Sequence, residues 1–147
     1  DINISLLKII KDQEVIKILL FILSLMLLMN GFNFIDGLNG LGSFNFLSII
    51  LSVLYLGYFY DDIFIVNLSV LIIVVAIVVF LLNFPFGRIF LGDSGSYIYA
   101  LFSGALIIYL FQRHTQLPTL LAMVILSYPI TLASSSATSL IVSISDL

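Results

Sequence analysis

The chain has 147 residues, of which 62% are hydrophobic and 9% charged, with a mean hydropathy of +1.28. That balance excludes a soluble domain and indicates an integral membrane protein. A net charge of −3 implies no nucleic-acid partner, and the lack of cysteine excludes a disulfide framework and a thiolate metal site.

The predicted fold class is all-α: a polytopic transmembrane helical bundle with about five spans in a piece of a longer chain. Residues 1–14 alternate polar and apolar and read as an interfacial segment, with no signal-peptide pattern. Residues 15–133 read as the transmembrane core. The first span runs from Val15 to about Ile35, long enough to cross a ~30 Å hydrocarbon layer. A second covers Leu41 to Tyr60, its end carrying interfacial tyrosines at 55, 58 and 60. Asp61 and Asp62 follow as a solvated turn. The third, Ile63 to Leu82, is rich in Val and Ile, but its length favours a lipid-embedded helix over a strand. The fourth runs from about Ser94 to Phe111, and the polar link QRHTQ leads into a fifth, Leu117 to about Ala133. Residues 134–147 form a Ser-rich divergent tail without a period.

Two polar islands interrupt this apolar chain. Asn30 to Gly42, NGFNFIDGLNGLG, sets Asp36 among three asparagines and four glycines. Asn83 to Ser96, NFPFGRIFLGDSGS, sets Asp93 between Gly92 and Gly95, with Ser94 and Ser96 beside it, at the start of a new helix. Glycines let backbone approach a ligand, and the free N–H groups of a helix start favour anions. A plain N-cap is the alternative reading of Asp93. A carboxylate at full bilayer depth costs roughly 2.5–3.5 kcal/mol, less near the interface, which disfavours idle placement of Asp36 and Asp93.

Two crossings separate the islands, so they open on one side of the membrane, with Asp61, Asp62 and QRHTQ on the other. Converging there, Asp36 and Asp93 suit Mg²⁺, which binds through one or two carboxylates plus substrate phosphates. Asn30 and Asn33 fall on neighbouring positions of one helical face, where amides read a sugar or a base. For Asn45 and Asn67, helix-to-helix hydrogen bonding is the expectation. His114, the single histidine, lies opposite the islands and is expected to be non-catalytic. Of five basic residues, Lys8, Lys11, Lys17 and Arg113 fall opposite the islands and Arg88 with them, so charge alone would put the islands outside.

NGFNFIDGLNGL resembles the N-x-x-N-x-x-D-G-x-D/N-G-L motif, and RIFLGDSGS the V-F-M-G-D-x-G-S motif, of the polyprenyl-phosphate N-acetylhexosamine-1-phosphate transferases. The resemblance covers about Val15 to Thr131 as the later-middle part of a family chain. It implies transfer of N-acetylhexosamine-1-phosphate from a UDP-N-acetylhexosamine to a polyprenyl (undecaprenyl) phosphate, initiating cell-envelope polysaccharide synthesis at the cytoplasmic face of the bacterial plasma membrane. It also implies Mg²⁺, with Mn²⁺ as a substitute, and is compatible with a homodimer. Asp93 then matches the metal-binding aspartate and is catalytic with Asp36. Asn30, Asn33 and Gly37 match the loop beside the nucleotide, and Asn83 and Phe90 match nucleotide contacts, Phe90 against the uracil. Asn39 stands where many members carry a second aspartate. The family's acidic pair upstream of the first island and its histidine loop after the last span have no counterpart here, so the piece alone is expected to be inactive. The rival expectation is an inactive remnant or a small transporter-like membrane protein.

Overall fold

A computed structural model describes residues 13–36, 40–85, 87, 89 and 91–135. The described residues form helices joined by turns and short irregular links, with no strand among them. The helices are α1 (Gln13–Asp36), α2 (Leu41–Phe59), α3 (Ile63–Asn83), α4 (Gly92–Arg113) and α5 (Thr119–Ile125), and residues 127–135 are helical again after a turn at Leu126. In lipid a helix satisfies its own backbone, so apolar runs of this length have no cheaper form. Among the described residues, four helices are long and apolar enough to cross a membrane: α2, α3 and α4 over their full lengths, and Ile18–Ile35 of α1. At 1.5 Å per residue, the 21 residues of α3 span about 31 Å.

The fifth expected span is not one continuous helix. It is α5 followed by residues 127–135, broken at Leu126, three residues ahead of Pro129. Proline offers no N–H to the carbonyl four residues back, here that of Ile125, and its ring crowds that carbonyl, so the ladder opens beside Leu126 while Tyr128 stays helical. The interfacial segment lies outside the described residues but for Gln13 and Glu14, which begin α1, and of the tail only Ser134 and Ser135 are described.

Contacts between helices fix an up-and-down arrangement. Phe44 meets Phe80 near one end of the α2–α3 pair, and Gly57 lies against Ile65 near the other. Likewise Phe32 meets Tyr99, and Leu28 meets Gly104, so α1 runs antiparallel to α4. One end of the bundle therefore collects the end of α1, the start of α2, the end of α3 and the start of α4. Both islands belong to that end.

Between helices in lipid there is little hydrophobic drive, and close packing at small residues replaces it. A Cβ on Gly57 would stand 2.7 Å from Ile65 Cγ2, and one on Gly31 would collide with the Pro129 carbonyl. The core itself is Phe32, Phe46, Ile50, Val53, Ile65, Ala100 and Leu110. Leu71, Val74, Val75, Val78 and Leu81 of α3 face outward, as lipid contact requires.

Candidate functional site

The islands meet through Gly40. This residue precedes α2 with φ +77°, and a Cβ on it would lie 2.8 Å from Phe84 Cβ and 3.3 Å from Phe80 Cε2. A glycine alone accommodates both the left-handed backbone and that contact. The first island is thereby pressed against the residue that follows Asn83.

Asp93 lies in the first turn of α4 and is exposed. It is not the N-cap: Leu91 takes that position without a side-chain cap hydrogen bond, and Gly92 opens the helix with φ +63°. Among the described residues the Asp93 carboxylate has no hydrogen-bond or ion-pair partner. The local capping role is thus not what Asp93 does. A lone carboxylate at the positive end of a helix dipole, facing outward, remains available to a ligand.

Asn83, the last residue of α3, is 0% exposed, and neither side-chain amide atom, Nδ2 or Oδ1, has a partner among the described residues. Its main-chain carbonyl accepts from Gly87 N–H at 2.6 Å. Two further orphans belong to the same end: Ser96 Oγ, one turn beyond Asp93, and the Asn45 amide nitrogen. Burying an unpaired polar group costs about 1–3 kcal/mol, and such groups gather at functional sites. Ser69 and Ser103 Oγ are also unpaired, deeper in the span.

Asn30 and Asn33 are exposed on the last two turns of α1, as a role toward a ligand requires. Asp36 is the final residue of α1, and its side chain, together with Gly37, Asn39 and Phe90, lies outside the described residues. No cluster of three or more metal-ligating acids or imidazoles occurs among the described residues. Among the described residues, the helix-to-helix hydrogen bonds expected of Asn45 and Asn67 are not made: Asn67 is exposed and the Asn45 amide nitrogen has no partner.

At the opposite end the structure corrects the reading of Asp61–Asp62 as a solvated turn. Asp61 is exposed with φ 54°, but Asp62 is 4% exposed and caps α3, accepting from Ile65 N–H at 3.3 Å. Its Oδ2 also lies 3.0 Å from Arg113 Nε and 3.2 Å from His114 Nε2. Burial pushes the Asp62 carboxyl upward most strongly, yet the Ile65 N–H, the His114 contact and the Arg113 charge together hold it below the usual carboxylate range. His114 further packs on Tyr60, and Arg113 donates to Tyr109 Oη at 2.9 Å. An aspartate directly before an apolar run is an N-cap signal, and it was the available clue to Asp62.

The match to a known family decides what this arrangement belongs to: the family model described as glycosyl transferase family 4 covers residues 1–111. The chain belongs to that family. At family level it is a membrane glycosyl-1-phosphate transferase with several spans. The match takes in both islands and nearly all of α4, and it ends at Phe111, short of the Thr131 limit expected from the motifs. No curated protein and no solved structure matches the chain.

Proposed function

We propose that this family member transfers N-acetylhexosamine-1-phosphate from a UDP-N-acetylhexosamine to a polyprenyl phosphate at the cytoplasmic face of a bacterial plasma membrane. A phosphate oxygen of the lipid attacks the β-phosphorus of the UDP-sugar; a new P–O–P bond forms, the bond to UMP breaks, and UMP leaves. The observation that carries the reading is the unpartnered, outward-facing Asp93 at the one bundle end where Gly40 brings the two islands together.

The donor set suits Mg²⁺. One carboxylate with no protein partner leaves the remaining positions to phosphate oxygens and water, the usual pattern for this ion. When bound, Mg²⁺ neutralises charge on the diphosphate. Asp93 would hold it. Asn30 and Asn33 would contact the nucleotide-sugar from α1, and Asn83, with both amide atoms uncommitted, would pair with its polar groups once its burial is relieved.

The lipid substrate has a matching surface. Between α1, α4 and α5 runs an apolar groove of about 460 Å³, lined by residues including Leu20, Leu28, Gly104, Ile107 and Leu126. Gly104 is eleven residues beyond Asp93 on α4, about 16 Å along the axis. An isoprenoid tail in the groove would leave its phosphate near the polar end.

The test is Mg²⁺-dependent UMP release by the intact protein and by Asp93→Asn. Loss of release in the variant is expected, and retained release would overturn the assignment.

A further inference from the structure

The start of α4 is held on the core by its N-cap, Leu91, which makes no side-chain hydrogen bond, and Asp93 is unpartnered among the described residues. The first buried residues of α4 itself are Ser96 and Tyr99. Tyr99 is 7% exposed and its ring stacks on Phe46 with centroids 3.9 Å apart and planes 4° from parallel. Phe32 of α1 meets both rings edge-on at 6.3 Å. The Tyr99 hydroxyl lies 3.4 Å from Ser43 Oγ.

Those partners are placed around the first island. Phe32 stands four residues before its aspartate, Asp36, and Ser43 three residues after Gly40. Tyr99 is six residues beyond Asp93, about 9 Å along α4. We infer that Tyr99 is a positioning residue for the proposed transfer: through Phe46, Phe32 and the Ser43 hydroxyl it fixes Asp93 relative to the first island. The inference rests on the transferase reading for its functional half and on packing alone for its structural half.

A stacked ring sets the distance between α2 and α4 but leaves sliding along the stack cheap. The hydroxyl pair adds a restraint against that sliding, because a buried tyrosine oxygen is held where a partner exists. Phenylalanine would keep the ring volume and lose the registration.

The test uses the chain's lack of cysteine. Spin labels at Phe44→Cys and Ser94→Cys, both exposed positions, report the separation of the two helix starts. A narrow distance distribution is expected, broadened by Tyr99→Phe and by Ser43→Ala; unchanged distributions in both variants would overturn the inference. In parallel, Mg²⁺ is titrated against thermal protection by UDP-N-acetylglucosamine. Each single variant should raise the half-maximal Mg²⁺ concentration about 3- to 10-fold, the double variant no further. Leu110→Ala, in the core at the far end, should lower the midpoint without shifting the Mg²⁺ requirement. If it shifts the requirement as much as Tyr99→Phe does, the positioning role is overturned in favour of plain stability. Absence of Mg²⁺-dependent protection in the unaltered chain would defeat the transferase reading itself, a failure the distance measurement separates from this one.

Discussion

Two carboxylates mark the two ends of the bundle and are held in opposite ways. Asp62 is buried, caps α3, and is met by Arg113 and His114 from the end of α4. Asp93 is exposed and has no partner among the described residues. The charge at Asp62 is consumed in joining α3 to α4, so that end is closed by the protein's own groups. At the island end the polar groups are left over: an open carboxylate, an asparagine with two orphaned atoms and a buried serine. Unmet hydrogen-bonding capacity costs stability, and its concentration at one end is what a ligand site looks like before the ligand binds.

The sharpest way to break this contrast is to exchange the fates of the two ends. Asp93→Asn should leave the fold intact and lower Mg²⁺-dependent UMP release at least about 100-fold, the scale of losing one electrostatic group at a reacting centre. Asn83→Leu should abolish protection by UDP-N-acetylglucosamine while raising unliganded stability by about 1–2 kcal/mol, because it removes two unpaired buried atoms. Loss of stability there would mean that Asn83 has structural partners. Asp62→Ala should behave in the opposite sense, costing about 1–3 kcal/mol in detergent unfolding with no change in Mg²⁺ requirement. The hydrogen bonds dominate that loss, since Arg113 is 56% exposed and its charge is screened.

Smaller effects sharpen the picture. Gly40→Ala forces a left-handed backbone on alanine and drives its Cβ toward Phe84, at about 1–2 kcal/mol or more. The acid limb is the smallest. Asp62 has a lowered pKa in the folded protein, so its stabilisation is present in full above its unfolded pKa of about 3.9 and is lost as pH falls through the lower folded value. Unfolding midpoints of the unaltered protein and Asp62→Ala should therefore differ at neutral pH and converge in strong acid.

The spans were legible because a membrane helix is written locally, as some twenty apolar residues in a row. The predicted ends of the first three came within about two residues of those observed. The pairing of the islands followed from counting crossings, without any contact being known. Asp61 and Asp62 look alike in sequence: only the return of α4, about fifty residues later, buries one and leaves the other exposed. The break at Leu126 lies among residues as apolar as their neighbours, and Pro129 is its one mark in the sequence. Motif wording pointed to Asn83, but not that its amide is buried and unsatisfied. Tyr99 read as one more aromatic in an apolar run, and its role emerges only when Ser43 stands opposite it.

The most direct measurement is the thermal midpoint of the detergent-solubilised protein with UDP-N-acetylglucosamine, with and without Mg²⁺, beside Asp93→Asn. The account predicts a rise that requires both Mg²⁺ and nucleotide-sugar and disappears in the variant. An equal rise in Asp93→Asn, or none in the unaltered protein, would contradict it.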